Sequence, residues 1–220
     1  MISSHPVIIQ ARMGSSRLPG KVLMPLGLHG KLVLDHVVER SLQISDWVCV
    51  ATSDDELDDE IYDYCEMRNY LCLRGPHDDV YSRYVAALHV FQGAAWFWRV
   101  TGDCPMLEPM VASYLMRRHK GESFLGMDST VARGISPELI ESRAFLRLES
   151  DRELTGLERE HVTMAMPGYS RNRVTPPPCY ESEINFELNT WGNYQFLKRV
   201  FASHIYPNAA HVIRELTRPA

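Results

Sequence analysis

Not one aspartate or glutamate occurs in the first 34 residues, although the 220-residue chain holds 28 acids against 23 lysines and arginines and carries a formal net charge of −5. At the chain's average density that stretch would hold roughly four acids. It holds Arg12, Arg17, Lys21 and Lys31 instead. An acidic protein with a purely basic amino-terminal segment is suited to gripping an anion in one place, and a solvated basic face is the alternative reading. Other absences exclude whole classes. No apolar run approaches the roughly 20 residues of a membrane-spanning helix. The amino terminus lacks both the basic start and the apolar stretch of a secretory signal, so a cytoplasmic location is expected. Five cysteines, odd in number and without a CxxC pair, argue against a disulfide framework or a zinc site. The acidic balance argues against general nucleic-acid binding. Neither the GxxxxGK[ST] loop nor the GxGxxG fingerprint is present, so neither phosphate-binding mechanism carries over. Internal repeats, low-complexity tracts and linkers are also missing, which leaves a single domain over 1–220.

What is present alternates. A β-branched run at Val7–Gln10 is followed by apolar residues at helical spacing, Val33, Leu34, Val37, Val38 and Leu42. Val48–Ala51 reads as a second strand, Leu57–Cys65 as a helix, and Tyr70–Leu73 as a third strand. Val80–Phe91 reads as a helix, Ala95–Val100 as a strand, and a further helix runs through Val111 and Leu115. Strands and helices alternating at this interval predict an α/β fold, three layers deep, with a mainly parallel sheet covered on both faces. Beyond residue 120 the spacing suggests helices over Ser136–Arg147, Leu157–Met166 and Tyr194–Ser203. Arg171–Pro178 reads as a turn-rich connection and Ile184–Leu188 as a strand. Ligands of such sheets bind beyond the carboxyl ends of the strands, where Ala11–Lys21 and Thr101–Pro105 both fall.

The sequence ARMGSSRLPGKVL carries the strongest chemistry. Gly14, Ser15 and Ser16 let backbone amides and hydroxyls approach an anion. Arg12 and Arg17 offer planar forks matched to phosphate oxygens, Lys21 adds a mobile point charge, and Pro19 stiffens the turn.

This loop resembles the signature loop of the cytidylyltransferases that include CMP-KDO synthetase and acylneuraminate cytidylyltransferase, and most of all the spore-coat polysaccharide branch. The resemblance continues, in the family's order, through ATSDDELDD (51–59), RGPHDDVYSRY (74–84), TGDCPMLEP (101–109) and REHVT (159–163). It implies a Rossmann-like nucleotidyltransferase of the nucleotide-diphospho-sugar transferase type, with nucleotide bound by 1–120 and acceptor binding and dimerisation in 121–220. The implied reaction joins CMP from CTP to an acidic sugar or related small-molecule acceptor and releases pyrophosphate. The enzyme would be a cytoplasmic homodimer serving surface polysaccharide synthesis. Two alternatives stay open: a nucleotide-binding homologue without turnover, and a transferase acting on a sugar 1-phosphate with another nucleotide.

The resemblance places Ala11, Arg12, Met13, Gly14, Ser15, Arg17 and Lys21 on the triphosphate, and Arg74, Asp79 and Arg83 near base and ribose. Thr101 and Gly102 lead to Asp103, whose carboxylate at a strand end is placed to share a Mg²⁺ ion with the triphosphate. Arg12, Arg17, Lys21 and Asp103 are therefore the catalytic candidates. Relatives usually carry a second acidic position in a segment like DTPED, where this chain has Asn189-Thr190-Trp191-Gly192-Asn193. Asn189 keeps a carbonyl oxygen, and Glu187 offers a replacement carboxylate, so Asp103, Glu187 and Asn189 form the expected metal set. Gly134, Glu138 and His161 are the expected acceptor-side residues, although the GLDVE segment of relatives here reads Gly134-Ile135-Ser136-Pro137-Glu138.

Overall fold

The computed structural model describes residues 5–203 and 206–218. Val7, Ile8 and Ile9 are fully buried, as β-branched residues enclosed on both sides should be in an interior parallel strand. That strand, β1 (Val7–Gln10), lies between β2 (Val48–Ser53) and β4 (Trp96–Thr101) and runs parallel to both. β3 (Cys72–Gly75) extends the sheet beyond β2, again in parallel. On the other side β6 (Glu138–Glu141) pairs antiparallel with β4 and with β5 (Phe124–Met127), and β7 (Arg173–Val174) closes the edge parallel to β5. The order is β3-β2-β1-β4-β6-β5-β7.

Alternate residues of β1 serve opposite faces: Val7 and Ile9 join one core, Ile8 the other. The first core is covered by α1 (Val33–Ser41), α2 (Asp59–Arg68), α4 (Pro109–Arg118), α7 (Trp191–Ser203) and α8 (Ala209–Leu216). The second is covered by α3 (Val80–Val90) and α5 (Ser142–Asp151), where Tyr84, Phe97 and Phe145 pack ring to ring. The expected three-layer α/β arrangement with a mainly parallel sheet is what the chain forms. No helix among the described residues is long and apolar enough to cross a membrane.

Four local expectations change, one of them being that Arg171–Pro178, expected as a turn-rich connection, contributes the two-residue strand β7. The stretch expected to be one helix over Ser136–Arg147 splits, because Glu138–Glu141 is drawn into the gap between β4 and β5 as a strand. Leu139 and Ile140 are buried there on opposite faces, while Glu138 and Glu141 bond to Arg99 and Ser123. Helical spacing also fails beyond Glu160: a five-residue helix, α6 (Gly156–Glu160), is followed by turns. Ile184–Leu188, expected as a strand, stays outside the sheet. Its Phe186 and Leu188 are buried, but their amides donate to the carbonyls of Arg133 and Asp103.

One buried carboxylate ties the first core together. Asp35, 1% exposed, accepts hydrogen bonds from the Leu32 amide (2.8 Å) and the hydroxyls of Tyr64 (2.6 Å) and Tyr70 (2.8 Å), with Arg68 Nε at 3.2 Å. Burial pushes its pKa up, but these donors outweigh it and hold the group below the ordinary carboxylate value. A depressed folded-state pKa stabilises fully above the unfolded value and is lost as pH falls through the folded one. The melting temperature should therefore decline as pH drops below about 4. Asp35→Asn should be less stable at neutral pH by about 1–3 kcal/mol and show a flatter acid limb in thermal melts across pH.

Candidate active site

The basic loop is shaped by its own backbone before any ligand is considered. The Met13 carbonyl accepts from the amides of Ser15 (2.8 Å) and Gly20 (2.9 Å), which folds Ala11–Gly20 back on itself. Gly20 takes a left-handed φ of 70°, open to glycine at no steric cost. The chain then enters a single 3₁₀ turn, Lys21–Leu23, that presents Lys21. The Met13 amide donates to Asp58 Oδ1 at 2.6 Å. Asp58, 1% exposed, also accepts from the amide and hydroxyl of Ser53 at the end of β2. This carboxylate fastens the loop to the sheet. It was not among the sequence candidates, since ATSDDELDD holds five acids and only the packing selects the inward one.

β4 delivers the second half of the site. The Gly102 amide donates to the Gln10 carbonyl at 2.7 Å. A Cβ on Gly102 would stand 3.1 Å from that of Ala11, so the residue lets the two strand ends come together. Asp103 then meets Lys21, whose Nζ donates to Oδ2 at 2.5 Å and to Asn189 Oδ1 at 3.1 Å. Arg17 Nη2 reaches the same Asn189 oxygen at 3.3 Å, and the Asn189 amide group donates to Glu187 Oε2 at 2.9 Å. Gly134 brings the segment around Glu187 into place. It has a φ of +84°, and a Cβ there would lie 2.7 Å from the Glu187 nitrogen. Burial raises the pKa of Asp103, but the Lys21 charge and hydrogen bond outweigh it and leave the carboxyl below its ordinary value. Next to it, burial and the Asp103 and Glu187 charges push the Cys104 thiol well up, so this cysteine is a filler without thiolate character.

Arg17, Lys21, Gly102, Asp103 and Asn189 line a cleft of about 250 Å³ beyond the carboxyl ends of β1 and β4, whereas Glu187 and Gly134 are not part of its lining. Arg12, Ser15, Arg17, Lys21, Asp103 and His161 face it, with Ala11, Thr101, Gly102 and Asn189 between them. Two roomier hollows, about 370 and 600 Å³, lie elsewhere and lack this gathering of cations. Arg99 and Gln10, absent from the candidates, also line the cleft; both read from sequence as ordinary strand residues. Arg12 Nη2 is paired with Glu160 Oε1 at 2.9 Å.

Other expected site residues sit away from the cleft lining. Glu138 lies under it, accepting from Arg99 Nη1 at 2.8 Å. Arg74 donates to the carbonyls of Ser53 (2.9 Å) and Asp55 (3.0 Å) and pairs with Asp59, which braces the loop after β2. Asp79 caps α3 through the Ser82 amide (3.0 Å) and pairs with Arg159. Arg83 is 2% exposed beneath Gly75. Met13 and Gly14 continue the loop, Met13 against the core and Gly14 beside His77.

Comparison with known proteins bears on the family and the fold. A family model described as "Cytidylyltransferase" matches residues 6–210. The chain is 34% identical over 211 residues to the spore coat polysaccharide biosynthesis protein SpsF of Bacillus subtilis, covering 88% of this chain and 85% of that protein. It is 31% identical to the 3-deoxy-manno-octulosonate cytidylyltransferase of Escherichia coli, over 61% of this chain and 53% of that one. Among solved structures, a cytidylyltransferase from Leptospira borgpetersenii superposes with a TM-score of 0.83 at 24% identity, over 99% of this chain and 98% of its own.

Asp58→Ala should leave the Met13 and Ser53 amides without their acceptor, at a cost of about 1–3 kcal/mol in chemical denaturation. Hydrogen exchange at those two amides should accelerate while the strands of the sheet stay protected.

Proposed function

The chain belongs to the cytidylyltransferase family, and from that premise we propose that it transfers CMP from CTP to an acidic sugar or related acceptor, releasing pyrophosphate, in surface polysaccharide or glycoconjugate synthesis. The observation that carries this reading is the meeting of Lys21 and Asp103 in a cleft shared with Ser15, Arg12 and Arg17. Phosphate-binding donors and a carboxylate thus stand at one point, each delivered by a different strand.

The acceptor oxygen attacks the α-phosphorus in line, a new phosphorus–oxygen bond forms as a hydroxyl acceptor gives up its proton to solvent, and the bond to the bridging oxygen of the β-phosphate breaks. The loop amides and the Ser15 hydroxyl orient the triphosphate. Arg12, Arg17 and Lys21 balance the charge that gathers on the leaving pyrophosphate. Positioning and preorganised electrostatics supply most of the acceleration in reactions of this type. We assign the acceptor side to His161 at the cleft wall and to Arg99, which Glu138 holds from beneath.

The donor set fits a hard divalent cation. Asp103, Glu187 and the Asn189 carbonyl are all oxygen ligands, and Asp103 is held in its ionised form by Lys21. Two carboxylates with substrate oxygens completing the shell suit Mg²⁺ better than a softer metal. When bound, the ion would neutralise charge on the triphosphate and on the departing pyrophosphate. No cluster of three His, Cys, Asp or Glu side chains forms a ready-made protein cage among the described residues.

Calorimetric titration with CTP, UTP, ATP and GTP, with and without Mg²⁺, should show selective CTP binding that magnesium strengthens. A panel of acidic sugars followed by pyrophosphate release then identifies the acceptor. Lys21→Ala should lower kcat/KM by about 10²–10³-fold with the native circular dichroism spectrum retained at the assay temperature. Unchanged turnover in that variant would remove Lys21 from the mechanism.

A further inference from the structure

Lys21 does two jobs that compete. As a member of the phosphate loop it faces the cleft, yet its ammonium is seated on Asp103 Oδ2 at 2.5 Å. The two side chains are only 12% and 20% exposed, so a cation approaching Oδ2 from the cleft has to displace the lysine. The other Asp103 oxygen faces the Cys104 thiol, Sγ to Oδ1 at 3.6 Å. Asn189 is held in the same way, its carbonyl oxygen taking Lys21 at 3.1 Å and Arg17 at 3.3 Å. Its amide group occupies Glu187 Oε2 at 2.9 Å, and Arg133 Nε stands 3.9 Å from that same oxygen. Both Asp103 oxygens, the Asn189 carbonyl and Glu187 Oε2 thus already answer to a cation or a hydrogen-bond donor of the chain itself.

We infer that Lys21 is a latch on the metal site: it fills the cation position on Asp103 until a nucleoside triphosphate draws it onto phosphate, so that a divalent ion binds together with the nucleotide and not before it. The physical basis is electrostatic. A divalent ion on Asp103 would stand within a few ångströms of the ammonium in a shielded cleft, where like charges repel strongly. A triphosphate, carrying several negative charges, removes that repulsion by giving Lys21 a better partner. Because coupling between two ligands is reciprocal, the same latch makes nucleotide affinity depend on the metal. The latch rests on Asp103, Glu187 and Asn189 being the metal ligands, and it adds the order in which that site becomes available.

The test uses Mn²⁺ alone, without nucleotide, on the full chain, with free Mn²⁺ read by electron paramagnetic resonance. The wild type should bind Mn²⁺ weakly. Lys21→Met should bind it about tenfold or more tightly than wild type, and adding Asp103→Asn to that variant should abolish the gain. Arg17→Met removes the same charge from the same cleft, frees only the longer contact to Asn189 and leaves the Lys21–Asp103 pair in place, and should change Mn²⁺ affinity by less than about threefold. Equal gains in the two single variants, or none in Lys21→Met, would overturn the latch. Lys21→Gln serves as the readout should the methionine variant melt early. CTP titration of the wild type separately tests the transferase reading: failure there with a Lys21-specific Mn²⁺ gain would leave the latch standing on a different nucleotide or phosphate ester.

Discussion

The parallel pairing of β1 with both of its neighbours is the constraint from which the rest of the molecule follows. Gln10 is in register with Ala51 on one side and Thr101 on the other, so three chain segments leave the sheet at one level. The loop after β1 brings the cations, the loop after β2 brings Asp58, and the loop after β4 brings Asp103. Their proximity costs no long-range search once the sheet has formed. The glycine at 102 then decides how closely the first and third can approach.

Charge separation along the chain acquires a structural meaning in this setting. The stretch cleared of acids supplies Arg12, Arg17 and Lys21, while the acids that meet the cleft cations arrive from far along the sequence. Glu160 comes to Arg12, and Asp103 to Lys21. Arg99 deeper in the cleft has Glu138. The free cleft is consequently a set of internal ion pairs, neither a bare positive surface nor an acidic one. A highly charged anion entering it exchanges partners with groups that are already positioned, which lowers the ordering cost of binding.

Much of the fold was legible because burial leaves a period. Val7–Ile9, Val48–Ala51 and the helical spacing of Val33–Val38 each point to one element, and the elements appear close to those positions. Reading weakened where an element is held by its partners and not by its own pattern. β6 is a four-residue strand inside a helical periodicity, formed because the gap between β4 and β5 needs a strand. Ile184–Leu188 shows the reverse, having the pattern of a strand while its amides are claimed by loop carbonyls. The site divides in the same way. Arg12, Ser15, Arg17, Lys21 and Asp103 are recognisable from residue type and the loop they occupy. Asp58, Gln10, Arg99 and Glu160 are not, because an acid among acids or a polar residue within a strand carries no mark of which way it faces.

By itself the sequence determined the class of fold, the order of the leading strands and helices, and the presence of an anion-gripping loop, since hydrophobic period and local residue chemistry are properties of neighbours in the chain. Only the tertiary structure decided which charges meet. The Lys21–Asp103 contact spans 82 positions and Arg12–Glu160 spans 148. Such pairs depend on the register of a sheet and the closure of loops, which no local pattern encodes.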